Sequence, residues 1–265
     1  IIIPDLHGDF TEFCNILYKY NILDDMSPLY VANIMFNNSY ETMLHMDNKQ
    51  IIQLGDILDS RDRHPNSEYT IDYSDMLLFT FICKMKKAFK NQIILIYGNH
   101  ELLNCRNICD YASDKFPRTV AEIEYIIKNV NELFQFHYID ANSNLYLHSC
   151  IPGDIDNIND LDIINSYIKS NLSTMSSEEF NRMYNYLFAR SYGTFSQLKK
   201  LKLSRAFFGH NPHEHVKIVD NSIFYVDTML SRSFSSMSNV YECIHINDDN
   251  SVSIDLIDRY IKYDI

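Results

Sequence analysis

Five short stretches place side chains that can do acid–base or metal chemistry directly after apolar runs. They are Asp5-Leu6-His7-Gly8-Asp9, Gly55-Asp56-Ile57-Leu58-Asp59, Gly98-Asn99-His100-Glu101, His148, and Gly209-His210-Asn211-Pro212-His213. Each follows a short apolar run: Ile1–Ile3, Ile51–Leu54, Ile93–Tyr97, Asn144–Leu147 and Ala206–Phe208. Apolar runs bounded by polar clusters read as buried strands. A buried strand ordinarily ends in a simple turn, and these end in carboxylates, an amide and imidazoles. In an α/β sheet, ligands bind beyond the carboxyl ends of the strands. The five ends are therefore expected to bring Asp, His and Asn to one edge.

Oxygen and imidazole donors without thiolate suit Mn²⁺, Fe or Zn²⁺ in a working site better than a structural zinc. Two such ions about 3.5–4 Å apart would clamp an in-line displacement at phosphorus. One carboxylate must then be shared, and Asp56, on the middle strand end of the set, is the candidate. Gly55, Gly98 and Gly209 let the chain turn sharply and bring backbone close to the site. Taken singly the pieces are weak. An Asp-x-His occurs in ordinary loops, and a lone His148 after a strand is more often a structural histidine. Gly-Asn-His-Glu paired with Gly-Asp-x-x-Asp upstream is specific, and the order of all five at strand ends makes coincidence a poor account.

The elements that must hold these residues alternate. Helical spacing of apolar residues covers Asp9–Tyr20, Ser74–Phe89, Thr119–Phe134, Asp160–Asn171 and Ser176–Tyr192. Thr119 with Glu122, and Ser176 with Glu179, form capping-box patterns. A further strand is expected at Ile223–Val226, and the tail to Ile257 reads mostly as strand, with a hairpin turning near Asp249-Asn250. The pattern predicts an α/β fold. No linker, repeat or low-complexity block divides the chain, so 1–265 is read as a single domain, with 24–50 and 149–180 as loop or helical insertions.

The 265 residues suffice for a sizeable core, with 46 % hydrophobic and 22 % charged residues. A net charge of −12 argues against nonspecific binding to DNA or other nucleic acid, which needs a Lys/Arg surface. No apolar stretch approaches the roughly 20 residues of a membrane span. Cys14, Cys83, Cys105, Cys109, Cys150 and Cys243 lack paired spacings, which fits reduced thiols and a cytoplasmic location. The first strand reads as entered partway, so chain is expected before Ile1 and a targeting segment stays open. The acidic stretches at 154–162 and 247–249 lack the ordered ligand run of a calcium loop. The basic run 84–90 complements a helix C-terminus.

The stretches "DLHGD", "GDILDS", "GNHE", "LHS" and "GHNPH", spanning Asp5 to His213, resemble the calcineurin-like metallophosphoesterases, in particular the phosphoprotein-phosphatase branch. "IIQLGDILDS" and "GNHELLN" followed by "CDYAS" come closer to the Shewanella-like phosphatases than to the animal Ser/Thr enzymes. The resemblance implies a central β-sandwich flanked by α-helices and two divalent metal ions, Mn²⁺ first, with Fe or Zn²⁺ as alternatives. It implies that Asp5, His7 and Asp56 hold one ion, and that Asp56, Asn99, His148 and His210 hold the other. A hydroxide bridging the metals would attack phosphorus. His100 would protonate the leaving oxygen while Asp59 holds its other ring nitrogen. Glu101 reads as structural, a partner for backbone or for an arginine.

Two positions depart from the family pattern. Pro4 stands where Gly is expected, removing a backbone donor. Ser60 stands where the family has the arginine that grips phosphate, and Arg61 or Arg63 is expected to reach in instead. Arg190, in "YLFARSYG", matches the family's second phosphate-binding arginine, with an ordinary helix-surface arginine as the alternative. Asp227 reads as structural support, and His213 and His215 are left outside the metal set by their spacing. The implied activity is hydrolysis of phosphomonoesters, on phosphoproteins (Ser/Thr or Tyr) or small phosphoesters. A nucleotide or dinucleoside polyphosphate substrate is the alternative within the same chemistry. The 24–50 segment, with Met26, Tyr30, Met35, Phe36 and Tyr40, is a candidate lid. A third reading, from Ser60, is an inactive phosphate-binding pseudoenzyme.

Overall fold

Successive strand residues face opposite sides of a sheet, and here both sides are apolar. The structure, a computed structural model, describes residues 1–59, 74–108, 118–190, 195–228, 230 and 240–258. Strands β1 (Ile2–Ile3), β2 (Ile51–Gln53), β3 (Ile93–Ile96) and β4 (Phe134–Gln135) pair in parallel, with Ile2 opposite Ile52, Ile51 opposite Ile93 and Leu95 opposite Phe134. The second sheet contains β5 (His137–Ile139), β6 (Asn144–Leu147), β7 (Arg205–Phe208), β8 (Lys217–Val219) and β9 (Ile223–Tyr225), in the order β5-β6-β7-β9-β8. The hairpin β10 (Val240–Ile246) and β11 (Val252–Asp258) completes the first sheet, in the order β11-β10-β1-β2-β3-β4.

The alternation shows how the sheets stack. Ile2, Ile52, Ile94 and Ile96 from the first sheet cluster with Tyr146, Phe207 and Phe224 from the second. Their strand neighbours Ile3, Ile51, Ile93, Leu95, Leu145, Leu147, Ala206 and Phe208 belong to the larger cluster that the helices complete. The result is a central β-sandwich with helices outside. A ladder of stacked rings crosses its interior: Tyr138 on Tyr146 at 5.7 Å, Tyr146 on Phe207 at 5.1 Å, and Phe207 on Phe224 at 4.8 Å between centroids. Each pair contributes about 0.5–1.5 kcal/mol beyond its buried area.

The helices are α1 (Phe10–Lys19), α2 (Pro28–Asn37), α3 (Tyr40–Met43), α4 (Ser74–Phe89), α5 (Asn99–Cys105), α6 (Val120–Leu133), α7 (Ile158–Asn171), α8 (Ser177–Phe188) and α9 (Phe195–Lys200). Both expected capping boxes form, with Glu122 N–H on Thr119 Oγ1 at 3.2 Å and Glu179 N–H on Ser176 Oγ at 3.3 Å. Of the helix ends that differ from the sequence reading, two have a clear local cause. The fully buried Phe134 leaves α6 to begin β4. Helix α8 stops at Phe188, because Ala189 takes an extended backbone (φ −64°, ψ 124°), so Arg190 lies beyond the helix and not on its surface. Sequence periodicity also misses β4, β5 and β8, each too short to show a period. Among the described residues no helix is long and apolar enough to cross a membrane.

Candidate active site

The carboxyl ends of five strands deliver the expected residues. Asp5 and His7 follow β1, Asp56 and Asp59 follow β2, Asn99 and His100 open α5 after β3, His148 follows β6, and His210 follows β7. Asp227, read from the sequence as structural support, follows β9. All eight expected residues and Asp227 are buried. Their backbones are bent to aim the side chains. His7 (φ 41°), Asp56 (φ 52°), Asp59 (φ 68°) and His210 (φ 62°) all occupy the left-handed region, as does Gly55 (φ 96°). Such conformations in non-glycine residues gather at functional sites and persist where the surroundings over-determine them.

The surroundings do over-determine them here. The Asp56 carbonyl accepts Leu6 N–H at 3.0 Å and His7 N–H at 2.8 Å, locking the end of β1 onto that of β2. Glu101, with no exposed surface, accepts four backbone N–H groups: Asp56 and Gly98 on Oε2 at 2.8 and 2.9 Å, and Ile57 and Leu58 on Oε1 at 2.8 and 3.2 Å. Its partner is thus backbone and not an arginine. Burial, with the Asp56 charge beside it, pushes its pKa up to about 7, against the four donors. Gly98 and Gly209 permit close approach. A Cβ on Gly98 would lie 2.2 Å from Asp56 Oδ1, and one on Gly209 would lie 2.5 Å from Asp5 Oδ1.

A cavity of about 100 Å³ opens over these residues. Asp5, His7, Asp56, Asn99, His100 and His210 line it, together with Phe188, Arg190, Pro212 and Asp227. Donor atoms of Asp5, Asp56, His148 and His210 lie within 4.8 Å of one another, and so do those of His7, Asp56 and His100. Asp56 belongs to both groups. The first group contains Asp5, which the resemblance pairs with His7. The His210 N–H holds Asp5 at 3.1 Å, on the side of His148 and His210. Asn99 joins that group, with Oδ1 at 2.9 Å from His148 Nε2.

These donors fit divalent cations. His148 Nδ1 sits 2.7 Å from the Leu54 carbonyl, a contact that requires N–H on Nδ1 and leaves Nε2 facing Asn99 and Asp56. Metal-ligating imidazoles are oriented in this way. His210 Nε2 is buried without a hydrogen-bond partner. Burial, and then the nearby His148, hold its pKa down to about 3, so the ring keeps a lone pair. Burial, reinforced by Asp227, pushes the Asp5 carboxyl well up. For Asp56 the upward push of burial is outweighed by the His148, His100 and His7 imidazoles, so its carboxyl stays well below the ordinary range.

His100 is held from behind. Its Nδ1 lies 2.6 Å from Asp59 Oδ2, and its Nε2 faces the cavity 3.8 Å from Asp56 Oδ2. Burial pulls its pKa down, but Asp56 and Asp59 together outweigh burial and raise it. Asn104 Nδ2 donates to the same Asp59 oxygen at 2.9 Å. Sequence reasoning passed over Asn104, although its place four residues after His100 on α5 was a usable signal. Phe188, the aromatic two residues before Arg190, meets His210 edge-on at 5.0 Å and carries the Arg190 guanidinium at 5.4 Å. Arg61, Arg63 and Ser60 lie outside the described residues. Residues 24–50 contribute nothing to the cavity wall. Met26, Met35 and Phe36 instead line a separate apolar groove of about 490 Å³, and Tyr40 is buried in the core.

The sequence matches no family model and no curated protein. Its structure is similar to solved phosphatases. A cold-active protein-tyrosine phosphatase from a psychrophilic Shewanella species has a TM-score of 0.63 at 16% identity, over 96% of this chain and 78% of that one. A second structure of a cold-active protein tyrosine phosphatase gives 0.66 at 16%, over 96% and 77%. A protein serine/threonine phosphatase from Saccharomyces cerevisiae gives 0.67 at 15%, over 100% and 81%. With its two sheets, outer helices and strand-end Asp/His clusters, the chain has the fold of the calcineurin-like phosphoprotein phosphatases.

Proposed function

We propose that this chain is a binuclear metal-dependent phosphatase that hydrolyses phosphomonoesters of phosphoproteins. The observation that carries the reading is the sharing of Asp56 by two buried donor groups at the floor of one cavity. Asp5, His7, Asp56, Asn99, His148 and His210 are the residues that would hold two cations. Oxygen and imidazole donors without thiolate favour Mn²⁺, with Fe or Zn²⁺ as alternatives. When bound, such ions supply Lewis acidity at the phosphoryl oxygens and a nucleophile from water at neutral pH.

The chain's own residues supply the rest. His100 presents Nε2 to the cavity, and Asp59 fixes the ring through Nδ1. The departing oxygen takes the Nε2 proton, leaving a neutral ring whose Nδ1–H still bonds Asp59. Arg190 brings a planar guanidinium to the cavity wall, suited to forked bonds with phosphate oxygens. The solved relatives are described as tyrosine and as serine/threonine phosphatases, and phosphoprotein is the class both share. A cytoplasmic location suits the buried thiols Cys14, Cys83, Cys105, Cys150 and Cys243.

The test is hydrolysis of para-nitrophenyl phosphate by metal-stripped protein, titrated with Mn²⁺, beside Asp56→Asn and Asn99→Ala. Turnover should appear with the metal and collapse in both variants. Stoichiometric binding of Mn²⁺, Fe²⁺ and Zn²⁺ without turnover would overturn the reading.

A further inference from the structure

Behind the His100–Asp59 pair lies a buried arginine that does not line the cavity. The Arg118 side chain is 5 % exposed. Its Nη2 lies 2.7 Å from Asp75 Oδ2 and 3.3 Å from Asp59 Oδ1. Its Nε donates to Asn104 Oδ1. Asn104 in turn donates through Nδ2 to Asp59 Oδ2 and to the His100 carbonyl, each at 2.9 Å. Asp75 is tied to the same turn, because its Oδ2 accepts the Asp59 N–H at 3.2 Å. Every polar atom of the Asp59 carboxylate is thereby engaged: one oxygen by His100 and Asn104, the other by Arg118.

We propose that Arg118 is a positioning residue for the proton donor, acting through Asp59 and Asn104 to hold the His100 ring. The inference rests on the phosphatase reading above. Its logic is charge balance and geometry. Asp59 and Asp75 are two carboxylates sharing a buried space, and one guanidinium nitrogen stands against both. Without it the carboxylates face each other in a low-dielectric setting, where like charges repel strongly. With the guanidinium gone, Asp59 Oδ1 loses the contact that holds it, whereas Asp75 keeps the Met76 N–H at 2.8 Å and the Asp59 N–H at 3.2 Å, so the Asp59 carboxylate is the one that moves. A displaced Asp59 swings the imidazole, and Nε2 no longer meets the leaving oxygen. The guanidinium reaches both carboxylates through Nη2 while its Nε holds Asn104, a planar spread of donors that a single ammonium nitrogen does not offer. The backbone of Arg118 is anchored by the capping box that follows it at Thr119.

A positioning role for the acid leaves a signature that loss of general stability does not. A good leaving group departs without protonation and an alkoxide does not. Mn²⁺-loaded wild type, Arg118→Met, Arg118→Lys and His100→Asn are to be compared on para-nitrophenyl phosphate and on a phosphoserine peptide. Arg118→Met should lower kcat on phosphoserine by about 10²-fold, within the range general acid catalysis supplies, and on the aryl ester by less than about threefold. Arg118→Lys should fall between Arg118→Met and wild type. Thermal melting reports folding. If Arg118→Met fails to fold, Arg118→Lys, which keeps the charge, carries the same comparison. Equal losses on both substrates, or none on phosphoserine, overturn the inference. If His100→Asn shows the split and Arg118 variants do not, only the role of Arg118 falls. If His100→Asn shows none, the acid assignment falls with it.

Discussion

Replacing Gly98 by alanine tests whether close backbone approach fixes the position of Asp56. The backbone at Gly98 is ordinary (φ −96°, ψ 168°), so alanine suffers no dihedral strain there. Its Cβ, however, would lie 2.2 Å from both Asp56 N and Asp56 Oδ1, and 2.6 Å from Glu101 Oε2. Ordinary contact begins at 3.4 Å, so Asp56 must retreat by about 1.2 Å. Two effects oppose each other. Alanine restricts the unfolded chain, a gain of about 0.4–1 kcal/mol. Overpacking costs about 1–3 kcal/mol, and here the obstructing atoms are backbone and a buried carboxylate that cannot rotate away. The expected net loss of about 2 kcal/mol lowers Tm by about 4–8 °C for a chain of this size. The effect on turnover should be larger, because a misplacement of about 1 Å costs on the order of 10²-fold in rate. Melting curves and kcat/KM with Mn²⁺ read the two effects separately. Gly153→Ala is the control, since a Cβ there meets nothing within 4 Å. If Gly98→Ala matches the control in both measurements, the account of Asp56 being gripped between the ends of β2 and β3 is wrong.

Arg190→Ala should lower kcat/KM by about 10- to 10²-fold, the worth of one charge-assisted bond to phosphate, and an unchanged value would remove Arg190 from the phosphate site. Removing Mn²⁺ with a chelator should lower Tm by about 5–11 °C relative to protein at 100 times the dissociation constant, and an unshifted melt would mean no ion is held. His137 is buried near the exposed Asp162, and burial lowers its pKa. The unfolded chain therefore binds the extra proton first, so stability is full above about pH 6.5 and falls as the pH drops below it. His137→Gln should flatten that fall by up to about 1.4 kcal/mol per pH unit in denaturant unfolding, and identical slopes would refute the assignment.

The strands that carry the site were legible because each is an apolar run cut off by a polar cluster. Ile51–Gln53 and Ile93–Ile96 lie within one residue of the expected bounds, and Asn144–Leu147 matches them. Their stacking was legible only through the family resemblance, since a run apolar on both faces does not say which face meets the other sheet. The residues facing the cavity were found because their types are chemically rare at strand ends. Those behind it were not. Arg118 precedes a capping box and resembles any surface arginine in sequence, and Asp75 reads as an ordinary acidic first-turn residue of α4. Their roles arise from contacts across 43 residues of chain between Asp75 and Arg118 and 59 between Asp59 and Arg118, which no local pattern encodes. Arg190 was read inside a helix running to Tyr192, because the apolar spacing of α8 runs past the point where the helix ends.

The charges of the site divide into two layers with opposite requirements. Behind His100, the Asp59 and Asp75 carboxylates are met by Arg118 and Asn104 within the protein, so that layer is complete as the chain folds. In front of it, Asp5, Asp56 and Asp227 are buried around one cavity whose described wall holds a single guanidinium, Arg190. Burying carboxylates costs free energy that neighbouring positive charge must offset. The upward shift of Asp5, driven by burial and by Asp227, is that cost expressed as a pKa. Left-handed backbone at His7, Asp56 and His210 adds to it. The sandwich core and the four N–H groups gathered on Glu101 hold the arrangement in place regardless. Bound divalent cations would relieve the excess negative charge, so metal affinity and fold stability should rise and fall together across variants of the front layer. Variants of the rear layer should instead alter proton delivery while leaving metal affinity near that of the wild type.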